Sequence, residues 1–461
     1  MRLSDAARAL DARLVGADAE IVAVSTDTRN LPAGCLFVAL RGPRFDGHSF
    51  AAKALEAGAA AVMVEQGANL EASPALVVDD TRLALGKLAA WHRTTMPAKL
   101  AAITGSNGKT TVKEMVAAIL AEAAGAEAVL ATSGNLNNDI GMPLTLLRLT
   151  PAHRYAVIEM GMNHPGELAY LTELARPDVA LVNNALRAHL EGLGSLEAVA
   201  RAKGEIYAGL KPEGVAIVNA DDPHAGLWRT MNNGRKILSF GFARGADVRV
   251  QSLDDTAVNW QLASRESSLR LNTPWGLMET TLKVPGEHNM RNAAAAAACA
   301  LALGASPAAV AGGLARFGGV HGRLEMHRCI LGATLIDDSY NANPDSILAA
   351  IQVLAERPGT RILVLGDMGE LGPEAAALHR EVGERAKAAG IERLLCLGDM
   401  SIQAVQGFGA GAGAMHFERI EELLAEIECA LGPDVTVLVK GSRFMKMERI
   451  VQSFQEGQTC S

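Results

Sequence analysis

Residues 102–111 read AITGSNGKTT, an apolar run followed by a glycine-rich turn that ends in Lys109 and Thr110. Glycines let backbone N–H groups close around phosphate oxygens, and the start of a helix adds its partial positive charge. A lysine here reaches the β- and γ-phosphates, and the next hydroxyl ligates Mg²⁺. The strict pattern needs glycine where Ile103 stands, so this is a shortened variant. The segment predicts a phosphate loop; the alternative is an ordinary strand–turn–helix with a chance lysine.

Two further side chains could complete a metal site. Glu159 closes a predicted strand, and His189 lies in the loop after the next predicted strand. Ligands of open α/β sheets gather at the carboxyl ends of the strands, so both side chains are expected on the edge that carries the phosphate loop. Taken alone, each residue is more often structural or solvated.

Lys203 lies on the apolar side of a predicted helix that runs from Ser195 to Leu210. Its spacing places it on the stripe formed by Leu196, Val199, Ala200, Tyr207 and Leu210. A lysine at such a position either extends its ammonium group to solvent or finds a partner. The functional interpretation is a lysine that faces the site, with a possible modification on its nitrogen.

A third group of polar residues follows later strands and could flank a nucleotide. In GEHNMRNAAAA, Asn289 could cap the following helix, while His288, Asn289 and Asn292 could contact a base. Arg323 and Asp338 come early in the last third of the chain, and Asp338 closes a buried strand. GDMGELG and KGSRFMKME present further polar groups after strands, although GDMGELG also fits simple turn chemistry.

Strands that alternate with helices are predicted to position these residues. Short apolar runs mark the strands, which are expected at 36–40, 60–64, 75–78, 100–103, 155–159, 179–183, 215–219, 334–337, 362–365, 394–397 and 436–439. Helices are expected at 53–57, 82–92, 109–123 and 289–303. This alternation predicts parallel sheets with crossover helices. Residues 246–283 differ, because VRVQ, VNWQL, SLRLN and METTLKV alternate apolar with polar residues, as in an antiparallel insertion.

Composition narrows the class of protein. The 461 residues are 49% hydrophobic and 20% charged, with a net charge of −8 and 4% aromatic residues, which disfavours nucleic-acid binding. The six cysteines form no CxxC pair, and scattered cysteines fit a reducing compartment. The longest apolar run, Ala293 to Leu303, is about half of a membrane span. We therefore expect a cytoplasmic protein without a signal peptide or membrane insertion.

The order of the sequence motifs resembles the Mur ligase family. STDTR, LFVALRGPRFDGHSF, GNLNNDIGMPLTLL, TGSNGKTT, EMGMNHPGE, AHLEGLGS, AKGEI, NADDP, GEHNMRNA, DDSYNANPDS, GDMGELG and KGSRFMKME occur in this order between about residues 25 and 450. DDSYNANP and GNLNN indicate the branch that adds D-alanyl-D-alanine to UDP-N-acetylmuramoyl-tripeptide. One difference is that Leu186 and Arg187 stand where related sequences usually have a smaller stretch with glycine or proline.

The resemblance implies an α/β protein of three domains: 1–97 for the UDP-sugar substrate, 98–316 with a P-loop ATPase-type parallel sheet, and 317–461 with a Rossmann-like fold. It implies an ATP-dependent, ADP-forming ligase that makes an amide through an acyl phosphate in peptidoglycan precursor synthesis. ATP and Mg²⁺ are the implied cofactors. The implied partners are the two small-molecule substrates, and the chain is expected to act as a monomer. The C-terminal domain is expected to close over the ATPase domain and bring Arg323 and Asp338 to the nucleotide.

The same resemblance assigns roles to positions of this sequence. It implies catalytic roles for Lys109, Glu159, His189 and Lys203, and it implies that Thr110, Glu159, His189 and Lys203 bind the metal. The residues implied to contact the nucleotide are Gly105, Ser106, Asn107, Gly108, Lys109, Thr110, Thr111, His288, Asn289, Asn292, Arg323 and Asp338. The residues implied to contact the substrate are Ser25, Asp27, Arg29, Asp46, Gly47, His48, Asn135, Asn137 and Asn138. Many family members carry the lysine that Lys203 matches as a carbamate.

Two alternatives stay open. One keeps the enzyme class and changes the substrate, as in a sister Mur ligase or a folylpolyglutamate synthase, which share the shortened loop. The other is a nucleotide-gated binding module that uses ATP as a switch and needs no acceptor amine. Neither the third residue of the tripeptide nor the carbamylation of Lys203 follows from the sequence.

Overall fold

The computed structural model describes residues 1–43, 45–67, 73–253, 267–409, 411 and 413–455, which form three sheets covered by helices. Each sheet is built from consecutive strands of the chain, and the phosphate loop belongs to the middle one. The predicted α/β class with a C-terminal Rossmann-like sheet is confirmed. The domain limits after residues 97 and 316 stay a prediction.

The first sheet has five strands in the order β1-β5-β4-β3-β2, and all neighbours except β1 and β5 run parallel. Strands β1 to β5 cover Arg13–Val15, Ala23–Ser25, Cys35–Val38, Ala61–Glu65 and Ala75–Val78. Helices α1 to α3 cover Leu3–Leu10, Ala51–Glu56 and Thr81–Thr94. The strands β3 and β5 are buried along their whole length, which explains their uninterrupted apolar sequences.

The central sheet has nine strands in the order β14-β13-β12-β11-β10-β9-β6-β8-β7. Strands β6 to β14 cover Lys99–Thr104, Val129–Ala131, Tyr155–Glu159, Val179–Val182, Val215–Asn219, Lys236–Gly241, Val248–Ser252, Ser267–Thr273 and Gly276–Leu282. Helices α4 to α11 cover Lys109–Ala124, Gly141–Leu146, Glu167–Ala175, Leu190–Leu193, Leu196–Gly204, Ala225–Met231, Glu287–Leu303 and Pro307–Arg316. The strands β6, β8, β9 and β10 lie parallel and side by side, so their carboxyl ends form one edge.

Both faces of the central sheet are buried. Ala101 and Ile103 of β6 pack with Val157 in one apolar cluster, while Leu100 and Ala102 pack in a second cluster on the opposite face. Helix α10 covers the first face with a run of small alanine side chains that is buried from Ala293 to Leu301. A strand that is buried on both sides has no polar face, which is why these segments lack alternation.

The antiparallel insertion is confirmed at one end of this sheet. Strand β12 runs parallel to β11 but antiparallel to β13, and β13 pairs antiparallel with β14. The side chains of β13 alternate between buried and partly exposed, as the sequence pattern predicts. The predicted segment VNWQL lies outside the described residues.

The third sheet has six strands in the order β15-β16-β20-β17-β18-β19, parallel except for the pair β15 and β16. Strands β15 to β20 cover Glu325–Arg328, Thr334–Asp338, Thr360–Gly366, Arg393–Leu397, Ala414–Phe417 and Val435–Lys440. Helices α12 to α16 cover Pro344–Ala355, Ala375–Ala388, Ile402–Phe408, Ile420–Ala430 and Glu448–Phe454. Within the described part of the chain, no helix combines the length and apolar character needed to cross a bilayer.

Candidate active site

The phosphate loop has the local geometry that its sequence predicts. Strand β6 ends at Thr104, and helix α4 begins at Lys109 after four residues of turn. Gly108 has a φ of 79°, and a Cβ there would lie 2.6 Å from both the Nδ2 atom of Asn183 and the Oδ1 atom of Asn292. Only glycine fits this conformation and this close approach without strain.

A series of hydrogen-bonded side-chain amides supports the phosphate loop. Asn183 donates through Nδ2 to the Asn107 carbonyl at 3.0 Å and to Asn292 Oδ1 at 2.9 Å. Asn292 donates in turn to Asn289 Oδ1 at 3.2 Å. The capping alternative for Asn289 is wrong, because α10 begins at Glu287 with Gly286 at its cap position and Asn289 lies inside the first turn. These buried amides fix the loop through hydrogen bonds to its backbone and to one another.

Lys109 places its ammonium group inside the loop. Its Nζ atom donates to the Gly105 carbonyl at 2.7 Å and to the Ser106 carbonyl at 3.2 Å. Burial lowers the pKa of this lysine, while the nearby Glu159 carboxylate opposes that change. A cation held against the loop backbone is positioned to neutralise phosphate oxygens that the loop amides bind.

Glu159 has the arrangement expected of a metal ligand. It closes β8, is 3% exposed, and accepts a 2.8 Å hydrogen bond from Asn137 Nδ2 at its Oε1 atom. Its Oε2 atom is buried and has no hydrogen-bond partner among the described residues. A buried carboxylate oxygen without a partner is costly, and a bound cation would satisfy it.

His189 lies opposite a carboxylate of the third sheet. Its Nδ1 atom is 2.7 Å from Glu370 Oε2, and contact with His189 lowers the pKa of Glu370. Both residues have left-handed backbones, with φ of 57° at His189 and 61° at Glu370. This backbone conformation is energetically unfavourable for residues other than glycine, and such strain is found most often at functional sites. His189 and Glu370 therefore form a contact between the central and C-terminal domains in which both backbones are strained.

The residues present fit a magnesium ion. Mg²⁺ prefers hard oxygen ligands and retains several of its waters. The Thr110 hydroxyl and the unpartnered Glu159 oxygen supply such donors, and the His189 imidazole lies on the same edge of the central sheet. These three side chains would hold the ion beside the phosphate loop.

Lys203 is a buried lysine near this edge. It is 1% exposed, so the alternative of an ammonium group that reaches solvent is wrong. Burial lowers the pKa of Lys203 well below its ordinary value, and the charge of Lys109 lowers it further. Helix α8 ends at Gly204, and the predicted helix to Leu210 is too long because a 3₁₀ turn follows at Glu205–Tyr207. Burial thus favours the neutral form of this amine.

The third sheet contributes an arginine to the phosphate loop. Arg323 donates through Nη2 to the Thr110 hydroxyl at 3.0 Å, and its guanidinium carbon lies 4.5 Å from the ring centre of Tyr340. Asp338 is buried and pairs with Lys440 at 2.6 Å. Burial raises the pKa of Asp338, and the Lys440 ammonium opposes that change. Arg323 therefore contacts the phosphate loop in this structure, while the predicted contact of Arg323 and Asp338 with the nucleotide stays a prediction.

Lys109, Glu159, His189, Arg323 and Asp338 line one large cleft, whereas Thr110 and Lys203 are not among its lining residues. Its volume is about 1370 Å³, and its walls come from the phosphate loop, the start of α10 and the third sheet, with Arg82 and Leu83 from α3. His288 lines it, and burial lowers the pKa of that imidazole to about 4. Of the predicted substrate loop, Asn137 and Asn138 line the cleft, while Asn135 is not among the lining residues.

The residues predicted for the UDP-sugar lie in the first domain, and none lines this cleft. Asp27 pairs with Arg29 at 2.7 Å, and that hydrogen-bonded guanidinium lowers the pKa of Asp27 to about 2. Asp46 contacts His48 Nδ1 at 2.6 Å, while His48 Nε2 accepts a hydrogen bond from the Glu65 amide at 3.0 Å. Ser25 ends β2 beside the Asp27 loop. The structure therefore separates this group from the phosphate loop.

Sequence reasoning missed several residues of the site. Asn184 Oδ1 accepts the Asn107 amide at 2.9 Å, and Asn343 pairs with the Asn107 side chain. Glu370 faces His189. The polar strings NNA, SYNANP and GDMGELG contain these residues, and each follows a buried strand, which was the available signal.

Comparison with known families agrees with this arrangement. Three family models match successive parts of the chain: the Mur ligase family catalytic domain at 20–93, the Mur ligase middle domain at 103–300, and the Mur ligase glutamate ligase domain at 322–443. Together they match parts of all three sheets. The fold and the site thus define a ligase of the Mur class.

Full-length relatives narrow the assignment. The UDP-N-acetylmuramoyl-tripeptide--D-alanyl-D-alanine ligase of Escherichia coli (strain K12) is 48% identical over 460 residues, covering 99% of both chains. Crystal structure I of MurF from Acinetobacter baumannii has a TM-score of 0.89 at 36% identity, covering 98% of this chain and 97% of that one. The MurF ligase of Thermotoga maritima in complex with ADP has a TM-score of 0.81 at 26% identity, covering 93% and 96%. The chain belongs to the Mur ligase family, and within it to the MurF ligases.

Proposed function

We propose that this chain catalyses the ATP-dependent joining of D-alanyl-D-alanine to UDP-N-acetylmuramoyl-tripeptide, a step of peptidoglycan precursor synthesis. The observation that carries the proposal is the buried Glu159 carboxylate, with its unpartnered oxygen, on the same sheet edge as the phosphate loop. This edge opens into a cleft large enough for a nucleotide and a peptide. The full-length relatives supply the substrate class.

The first half of the reaction activates a carboxylate. An oxygen of the tripeptide carboxylate attacks the γ-phosphorus of ATP, the bond to the bridging oxygen breaks, and ADP leaves with that electron pair. The product is an acyl phosphate. Loop amides and the Lys109 ammonium group hold the phosphates and offset their charge. Mg²⁺, when bound through Thr110, Glu159 and His189, adds positive charge at the phosphates.

The second half forms the amide. The free amine of D-alanyl-D-alanine attacks the carbonyl carbon, the tetrahedral intermediate expels inorganic phosphate, and the nitrogen loses a proton. Water would hydrolyse the acyl phosphate, so it must be excluded. Arg323 and Asn343 contact the phosphate loop from the third sheet, and these contacts support our proposal that the C-terminal domain excludes water from the reacting groups.

Lys203 is proposed to act as a carbamate. Burial lowers the pKa of Lys203 and favours its neutral amine, which can add to carbon dioxide and release a proton to give an anionic carbamate. That anion would sit near the Lys109 cation, whose charge lowers the pKa of the unmodified Lys203. The carbamate oxygens would then help to bind a second Mg²⁺ beside the substrate carboxylate.

The first domain is proposed to bind the UDP-sugar through the surroundings of Ser25, Asp27, Arg29, Asp46, Gly47 and His48. Asn137 and Asn138, which line the cleft, would face the peptide end of the same substrate. All these groups come from one chain, so we propose a monomer as the working unit. The buried thiols of Cys299 and Cys396 suit a reducing cytoplasm.

The test is phosphate release with a panel of acceptor amines. The enzyme is supplied with ATP, Mg²⁺ and UDP-N-acetylmuramoyl-tripeptide, with D-alanyl-D-alanine, meso-diaminopimelate, L-lysine, D-glutamate, L-glutamate or no amine. We expect release only with D-alanyl-D-alanine, together with a product whose mass grows by one dipeptide. Release with another amine would indicate a sister activity, and release without any amine would indicate a nucleotide switch.

A further inference from the structure

Arg187 links the central and C-terminal sheets through a compact ion-pair network. Its Nε and Nη2 atoms donate to Asp345 Oδ1 at 3.0 and 2.7 Å, and its backbone amide donates to Asp345 Oδ2 at 2.8 Å. Its Nη1 atom donates to Glu381 Oε2 at 2.7 Å. The Arg187 side chain is 26% exposed, so solvent screens this network less than a surface pair.

The partners of Arg187 lie next to residues that build the nucleotide site. Arg187 precedes His189 by two positions, in the loop between β9 and α7. Asp345 follows Asn343 by two positions in the first turn of α12, and Asn343 pairs with Asn107 of the phosphate loop. Glu381 lies on α13, which follows the loop that carries Glu370. The network therefore lies beside the cleft, where residues of the central sheet and of the third sheet contact each other.

We propose that Arg187 is a positioning residue that holds the C-terminal domain against the central domain, so that the two halves of the nucleotide site are assembled before the nucleotide binds. When a binding-competent arrangement is only partly populated, the apparent affinity falls by that fraction. A guanidinium group bound on both edges favours the assembled arrangement, although Arg187 is not among the residues that line the cleft. The activity part of this proposal rests on the proposed function, whereas nucleotide binding does not.

A variant series separates this role from a general loss of stability. In R187A we expect about tenfold weaker ADP binding, as an increased conformational cost predicts. The KM for ATP should rise similarly, with kcat within about twofold, because saturating nucleotide restores the assembled state. R187K should be intermediate, because lysine lacks the guanidinium fork whose Nε and Nη2 atoms both donate to Asp345 Oδ1. D345A should be at least as impaired as R187A, because it also removes the acceptor of the Arg187 amide.

The reversed pair R187D/D345R provides the rescue. It restores opposite charges across the same gap, so ADP affinity should recover relative to either single reversal. R201A is the matched control, because Arg201 is an exposed arginine of the central domain. Among the described residues it pairs within α8, with Glu197 at 2.8 Å. ADP affinity by calorimetry, thermal midpoint and small-angle scattering are measured for each variant.

Each outcome of these measurements either supports or contradicts the role proposed for Arg187. Weaker ADP binding in R187A with rescue in the reversed pair, an expanded scattering profile without nucleotide and an unchanged R201A would support the proposal. ADP affinity in R187A equal to that of the unaltered protein, or a loss that the reversed pair fails to rescue, would overturn it. Failure of the acceptor panel with intact ADP binding would refute only the proposed function.

Discussion

The side-chain amides of Asn107 and Asn343 hydrogen-bond each other in both directions across the cleft. Asn343 Nδ2 donates to Asn107 Oδ1 at 2.7 Å, and Asn107 Nδ2 donates back to Asn343 Oδ1 at 3.3 Å. Asn343 also caps α12 by accepting the Ser346 amide at 2.8 Å. One residue therefore begins a helix of the third sheet and contacts the phosphate loop of the second.

Replacing Asn343 by serine should separate these two roles. Serine keeps the helix cap but is too short to reach Asn107, so stability should change little while ADP affinity falls about fivefold, the value of roughly one hydrogen bond. N343A should show the same weaker binding and lose about 1 kcal/mol of unfolding free energy in addition. Thermal unfolding and calorimetric titration with ADP measure the two effects. Equal ADP binding in N343S and the unaltered protein would contradict this prediction.

Replacing Glu159 by glutamine should abolish activity without destabilising the fold. The amide keeps the size of the side chain and an acceptor for Asn137, but it removes the charge that would bind Mg²⁺. We expect kcat to fall on the order of 100-fold or more, as when one group that stabilises developing charge is lost. The thermal midpoint without metal should change little, because removal of a buried charge is offset by the loss of its attraction to the Lys109 ammonium group. E197Q on the exposed face of α8 is the control; a lower midpoint in E159Q alone would indicate a structural role.

Replacing Lys203 by alanine should stop turnover in a way that small carboxylates can reverse. If the carbamate supplies the missing anion, acetate or formate should occupy the vacated space and restore part of the activity. The unaltered protein should show a carbamate carbonyl signal after incubation with ¹³C-bicarbonate, and K203A should lack it. K211A, which removes a partly exposed lysine that pairs with Asp178, serves as control. Absence of the signal together with absence of rescue would argue for an unmodified lysine.

His288 should make the protein less stable in mild acid. Its pKa is lowered from 6.5 to about 4 by burial, so between these values the unfolded chain binds a proton that the folded chain does not. The free energy of unfolding should therefore fall as the pH drops from 6.5 to 4, by at most about 3.5 kcal/mol at about 1.4 kcal/mol per pKa unit. Denaturant unfolding at several pH values measures the slope, which should be flatter in H288Q. H164Q, which removes an exposed imidazole, controls for the loss of a histidine as such; equal slopes in H288Q and the unaltered protein would refute the assignment.

Local sequence was sufficient for much of the framework. The strands Tyr155–Glu159 and Val215–Asn219 and the helix from Lys109 were predicted closely, because continuous apolar runs bounded by glycine leave few alternatives. Helical spacing placed Lys203 on the apolar side of its helix but left open whether its ammonium group reaches solvent, and the structure shows that the residue is buried. Boundaries failed where no local signal exists: α8 ends at Gly204 although the apolar spacing continues to Leu210.

The class of fold, the phosphate loop and the sheet edge with the candidate site residues could be predicted from the sequence, since these depend on short-range periodicity and on residue type. Which polar groups contact each other could be seen only in the tertiary structure. Asn107 and Asn343 are 236 residues apart, and Arg187 and Asp345 are 158 apart. Their pairing depends on how two separately folded sheets face each other, and that arrangement arises from the whole interface rather than from any local pattern.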